Sequence, residues 1–250
     1  MKRLLFLTAL IFYLAQQCVN ASEAPWKLWK KTSTQSVSYR AVTLDGLAEQ
    51  QLIEIKATTT VNSSLAGFLL FLQDVSNTQN WLINARESKI IQQYSATEHS
   101  FYIKLAKIWP FKPRILILSS IYWQNDDLSV EINITDIGAM TADKASPLAV
   151  SNIDDYLKVK IHNAHWKITP QRIAGDATAN RQADIVIEYR FIADGRGDIP
   201  TWLADHLALK SIWKSMRNIR RQLPAEKWQQ QEIEGITELS VIPSSIDLKQ

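Results

Sequence analysis

The chain has 250 residues, with 28 Lys+Arg against 25 Asp+Glu and a formal charge of +3. That length fits one large domain or two small ones. The near balance of charge argues against nucleic acid as a partner, since phosphate binding needs a concentrated surplus of Lys and Arg, and it gives no polybasic reason to bind an anionic membrane.

Residues 1–21 read as a secretory signal. Lys2-Arg3 precede an apolar run from Leu4 to Leu14, and Val19-Asn20-Ala21 places small residues at the cleavage positions. Loss of Lys2 and Arg3 lowers the charge from +3 to +1. The single cysteine, Cys18, lies inside this segment, so the processed chain is expected to lack disulfides, thiolate chemistry and cysteine-held metal. No later apolar run reaches the ~18 residues needed to span a bilayer. The expected product is a periplasmic or secreted protein without stable membrane insertion.

From Ser22 onward no repeat or low-complexity linker divides the sequence, which predicts one domain over 22–222 and a C-terminal extension over 223–250. Pro25 to Lys31 reads as a short helix with Trp26 and Trp29 on one face. Ser36 to Leu44 and Gln51 to Thr60 are β-rich and flank Asp45-Gly46, a hairpin signal. Asn62 or Ser63 is a candidate cap for the next segment. Leu65 to Leu72 is apolar on nearly all sides, as in a helix buried between layers.

Six strand candidates follow: Ile83–Gln92, Ser100–Lys107, Arg114–Trp123, Leu128–Asp136, Ile153–Ile168 and Ala183–Ile192. The last alternates, with Ile185, Ile187, Tyr189 and Phe191 on one face. Gly138 to Asn152 reads as a long loop. After the turn Asp194-Gly195-Arg196-Gly197-Asp198, Pro200 suits a first helical position. Trp202, Leu203, Leu209, Ile212, Trp213, Met216 and Ile219 then recur at helical spacing. Many antiparallel strands closed by one long helix define an α+β chain rather than a Rossmann-like alternation. The tail from Pro224 to Gln250, with Trp228 in it, reads as exposed, or as an extra edge strand over Glu238 to Ile242.

Catalytic and metal signatures are sparse. His162 and His165 lie in a strand-like run, where residues three apart point to opposite faces, so no metal is expected. His99 follows Glu98 in an expected turn and reads as solvated, and His206 as a boundary residue of the last helix. Asp126-Asp127 and Asp154-Asp155 are adjacent pairs that do not converge. No G-x-S-x-G, GxGxxG or P-loop occurs, and neither catalytic residue nor cofactor is predicted. Nine tryptophans are many for this length, consistent with an aromatic core or an aromatic-walled pocket between sheet and helix. Arg114 opens the apolar strand Ile115-Leu116-Ile117-Leu118 on the face of Leu116 and Leu118. If that face is interior, a carboxylate, ordered water or an anionic head group must accompany it.

Five motifs in order then resemble the START (lipid-transfer) domain family, particularly its exported bacterial members. They are Trp26 with the hairpin ending Tyr39-Arg40; the helix leading to Gln73-Asp74-Val75 and Trp81; Trp109-Pro110-Phe111-Lys112-Pro113-Arg114; Trp166-Lys167-Ile168-Thr169-Pro170; and Asp194 through Leu203. They cover roughly Pro25 to Arg221. Ile115 stands where the family usually has an acidic residue after the Arg, and Ile108 replaces the first Pro. Any Arg–Asp pair that the family uses at that point is therefore absent or draws its carboxylate from another element.

The resemblance implies a helix-grip fold, a curved antiparallel sheet wrapped around a long C-terminal helix with an internal hydrophobic cavity. It implies a carrier or sensor of a lipid or similar apolar molecule. The candidate lining is Trp81, Trp109, Phe111, Arg114, Leu116, Leu118, Trp166, Ile187, Tyr189, Trp202 and Leu203. Relatives of this fold also imply an alternative, a cyclase or dehydratase using the same cavity. The Pro224–Gln250 tail offers another, an envelope interaction module whose cavity has collapsed.

Overall fold

The computed structural model describes residues 24–44, 51–108, 110–139, 150, 152–171 and 184–239. The signal segment, the Asp45-Gly46 hairpin, Trp109 and most of the Gly138–Asn152 loop lie outside them.

Among the described residues ten strands form one sheet. They are β1 (Lys27–Lys31), β2 (Gln35–Val42), β3 (Leu52–Asn62), β4 (Ala85–Gln93), β5 (Glu98–Leu105), β6 (Arg114–Gln124), β7 (Val130–Asp136), β8 (Leu157–Lys158), β9 (Lys160–Gln171) and β10 (Asp184–Asp194). The spatial order is β1-β2-β3-β10-β9-β7-β6-β5-β4, with β8 alongside β6. Every pairing is antiparallel except the short β6–β8 contact. Helices α1 (Leu65–Gln73), α2 (Thr78–Trp81), α3 (Thr201–Gln222) and α4 (Glu226–Gln229) complete the fold. The predicted α+β architecture, an antiparallel sheet with a long C-terminal helix, is present.

Several local expectations need correction. The Pro25–Lys31 segment is strand β1, because it pairs with β2 from Lys27↔Tyr39 to Lys31↔Ser36. Trp26 and Trp29 therefore do not share a helical face. Trp29 meets Trp213 of α3 edge-on at 6.2 Å, whereas the Trp26 ring faces Arg40, Lys56 and Arg190. The predicted strand Ile153–Ile168 is broken into a 3-10 turn (Ile153–Asp155), β8 and β9. The cap of α1 is Ser64, whose Oγ accepts from Gly67 N at 2.9 Å, rather than Asn62 or Ser63.

Helix α1 is buried on nearly every side, as its sequence requires: Leu65, Ala66, Gly67, Phe68, Leu69 and Phe71 are all inside. A helix with no polar face needs cover from two layers. The sheet supplies one and the chain after α3 supplies the other. Trp228 of α4 is only 7% exposed and meets Phe71 edge-on at 5.4 Å, which corrects the exposed reading of this residue. Beyond it, the Glu238 carboxylate accepts from Leu65 N (3.0 Å) and Ala66 N (2.8 Å). Those are orphan donors of the first turn of α1, where a negative charge is favoured by the helix dipole. The edge-strand expectation over Glu238–Ile242 runs beyond the described residues, and residues 231–239 are not strand.

Helix α3 has 22 residues, about 33 Å at 1.5 Å per residue. Its inward stripe is Leu209, Ile212, Met216 and Ile219, and Arg220 and Arg221 sit in the last turn, where cations suit the C-terminal dipole. Pro200 is its N-cap rather than its first residue. Four long-range bonds fasten the helix: Gln35 Nε2 donates to Trp213 O (2.8 Å), Ile83 N to Ser215 Oγ (3.1 Å), Asn218 Nδ2 to Trp81 O (3.2 Å) and Gln222 Nε2 to Asn80 O (2.7 Å). No helix among the described residues is long and apolar enough to cross a membrane.

Candidate functional site

The core does not fill all the space between sheet and helices. A pocket of about 360 Å³ opens between β5, β6, β7, β9 and β10 on one side and α1, α2 and the first half of α3 on the other. Its volume lies at the lower end of the range for small-molecule sites.

Strand alternation decides which residues reach it. On β6, Arg114, Leu116, Leu118, Ser120 and Tyr122 face the pocket. Ile115 and Ile117 point to the opposite face and pack in a separate cluster with Tyr102, Ile137 and Val150. On β5, His99, Phe101, Ile103 and Leu105 face inward. Cross-strand register stacks these as four rungs: His99↔Ser120, Phe101↔Leu118, Ile103↔Leu116 and Leu105↔Arg114. The opposite wall holds Trp166 and Tyr189, whose rings stack with centroids 4.0 Å apart. Trp81 stands edge-on to Trp166 at 6.4 Å.

Of the residues expected in the lining, the structure brings together Trp81, Phe111, Arg114, Leu116, Leu118, Trp166 and Tyr189. Three lie elsewhere. Ile187 is fully buried in the main core with Phe68 and Met216, one pleat along β10 from Tyr189. Trp202 is 71% exposed, and Leu203 also misses the pocket. The side of α3 that lines it carries Ala204, Ala208, Ser211 and Ile212, and at 3.6 residues per turn positions 202 and 203 rotate away from that side. Trp109 lies outside the described residues.

Arg114 is partly buried and lines the pocket, but no carboxylate among the described residues accompanies it. Nε donates to Gly195 O (3.0 Å), Nη1 to Lys112 O (2.8 Å) and Nη2 to Arg196 O (3.2 Å). The guanidinium thus clamps the start of β6 to the turn that leads into α3. Its partners are backbone carbonyls, which the sequence motif does not advertise. Burial lowers its pKa. Around it the turn uses left-handed geometry, with φ +48° at Arg196 and +81° at Gly197. The Arg-Gly-Asp tripeptide is part of this turn, as its composition indicates.

Three polar groups were not anticipated here or were misread. His99 is 7% exposed and belongs to β5, not to a solvated turn. Ser120, 8% exposed, sits opposite it. Asp205 of α3 lines the wall, and burial raises its carboxyl pKa. Burial also pushes the Tyr189 phenol up. The signal for His99 and Ser120 was present in the sequence: each is in step with the inward residues of its strand. His162 and His165 do not converge on a metal. His165 Nε2 pairs with Glu131 at 3.2 Å, and no metal-ligating cluster occurs among the described residues. His206 is exposed. No hydrogen bond links His99 to Ser120, so the contact that activates a serine nucleophile is not made.

Burial lowers the His99 pKa from the ordinary 6.5. The native state therefore binds fewer protons than the unfolded state below that value. The stability associated with neutral His99 is present above pH 6.5 and is lost as pH falls below it. Asp205 acts in the opposite sense, because its raised pKa lets the native state take up a proton first. Urea unfolding of wild type and His99→Phe between neutral and mildly acidic pH isolates the first effect: the variant is expected to lose less stability on acidification.

No family model and no curated protein matches this sequence. Solved structures do match it. A STAR-related lipid transfer protein fragment from Xanthomonas axonopodis is similar with TM-score 0.60 at 19% identity, over 80% of this chain and 99% of that one. Human StAR-related lipid transfer protein 5 gives 0.57 at 16%, over 86% and 92%. The human StarD13 (DLC2) lipid transfer and protein localization domain gives 0.60 at 12%, over 87% and 97%. The chain has the START, or helix-grip, fold.

Proposed function

We propose that this protein is exported and holds a lipid or other apolar small molecule in the pocket between its sheet and α3, as a carrier or sensor. The observation that carries this reading is the lining. Two of the four rungs of the β5–β6 ladder are wholly apolar, the opposite wall is stacked aromatic, and the space between is unfilled. Each apolar methylene moved there from water contributes about 0.8 kcal/mol, so a modest chain or ring system gains useful affinity without any charged contact. The START-like structures named above are lipid transfer proteins, which supports the same reading for a chain with their fold. The signal-like segment over 1–21 supports an activity outside the cytoplasm.

A neutral naphthylamine probe that fluoresces only in apolar surroundings tests it. Saturable binding at one probe per chain, reversed by added lipid, is the expected result. No enhancement at any concentration would oppose the reading. Export has its own readout: protein recovered from the periplasm or medium should begin at Ser22.

A further inference from the structure

The pocket is polar at both ends of the β5–β6 ladder, and the two ends differ in kind. Arg114 and Leu105 form the rung beside the loops, where Ala106, Ile108, Phe111, Gly195 and Ile199 also line the space. The Arg114 guanidinium is already committed to three carbonyls there. Six residues along β6, about 20 Å at 3.3 Å per residue, His99 and Ser120 form the other terminal rung. Both are more than nine-tenths buried and both line the pocket. Among the described residues neither side chain has a hydrogen-bond partner in the protein; the His99 ring lies tilted against the Phe101 ring, with centroids 5.4 Å apart. The sealed unpaired groups among the described residues are Asn77 Nδ2, Trp81 Nε1 and His162 Nε2, and the polar atoms of His99 and Ser120 are not sealed in that way. They are thus open to the pocket space. The neighbouring Tyr122 hydroxyl is engaged by Ala96 O, at 3.4 Å.

A buried polar side chain without a partner is costly. Two of them, side by side at the end of an apolar channel, form a receptor for a hydrogen-bonding group. Resting on the reading of an apolar ligand, we infer that His99 and Ser120 bind the hydroxyl or carbonyl of a neutral ligand whose remaining body is hydrocarbon. The imidazole supplies either a donor or an acceptor according to tautomer, and the serine hydroxyl supplies both. A hydroxyl can donate to one and accept from the other. Neutrality follows from the surroundings: no cation is on this rung, and the flanking Phe101 and Leu118 offer nothing to a carboxylate. Burial keeps His99 itself uncharged at neutral pH.

The test compares dodecanol, dodecane and dodecanoate by quenching of pocket tryptophan emission, in wild type, His99→Phe and Ser120→Ala. Wild type is expected to bind dodecanol about tenfold more tightly than dodecane, the ratio that corresponds to 1.4 kcal/mol, and more tightly than dodecanoate. Each variant should reduce that preference to threefold or less, and unaltered circular dichroism shows that folding is retained. Equal affinity for alcohol and alkane in wild type, or preference for dodecanoate, overturns the inference and leaves the apolar-pocket reading standing. A preference that survives in both variants also overturns it, because the group is then held elsewhere. If none of the three binds, the reading beneath it falls as well.

Discussion

Trp228→Ala is expected to lower the unfolding free energy by about 3–5 kcal/mol, the cost of removing a large buried aromatic side chain. Trp228 lies past the last turn of α3 in a stretch that reads as an appendage, yet it is packed in the main core with Phe71, Leu223 and Ile219. Its loss also frees the segment that brings Gln229 to Ser64, where Oε1 accepts from Ser64 N at 2.9 Å, and Glu238 to the first turn of α1. Urea unfolding followed by tryptophan fluorescence measures it. A change below 1 kcal/mol would mean that α1 is covered without this segment and that the chain after Leu223 is dispensable.

Leu116→Trp is expected to weaken binding of a neutral apolar probe by more than tenfold while leaving the fold intact. Leu116 is only partly buried because its side chain faces open space on the third rung of the ladder, opposite Ile103. Adding rings to a filled core typically costs 1–3 kcal/mol, but here the added volume enters a pocket of about 360 Å³. Probe titration paired with thermal unfolding separates the two outcomes. Unchanged affinity would place the ligand outside this pocket.

The fold was legible where one face of an element is buried and the other is wet. Ile185, Ile187, Tyr189 and Phe191 alternate along β10, and Leu209, Ile212, Met216 and Ile219 recur along α3 at helical spacing, so period alone assigns both. The segment 25–31 misled because Trp26 and Trp29 fit a helical face locally, whereas its conformation is set by pairing with β2, a contact outside the segment. Tertiary partners also explain the misreadings at the site. The polar character of Arg114 was visible, but its carbonyl partners belong to a turn some eighty residues away. The sequence cannot show where a helix face stops lining a pocket, so Trp202 and Leu203 were included by stripe and excluded by rotation. His99 was lost through a boundary error of two residues: starting β5 at Glu98 instead of Ser100 converts a solvated turn histidine into an inward-facing one.

Arg114 takes a different role from the one its strand position suggests. With three of its donors on the carbonyls of Lys112, Gly195 and Arg196, it joins the entry of β6 to the turn before α3. That is the junction at which the long helix is aimed across the sheet. The side chain thus shapes the loop-flanked end of the pocket, while the apolar rungs and the His99–Ser120 pair supply surfaces for a ligand.

Native mass spectrometry of the protein isolated from the cells that make it tests the central claim most directly. The account predicts a substantial fraction carrying one additional mass per chain, released into organic solvent as a neutral apolar compound and absent from Leu116→Trp. Protein that emerges as the bare polypeptide, and stays bare after incubation with dodecanol, a sterol and a fatty acid, would contradict it.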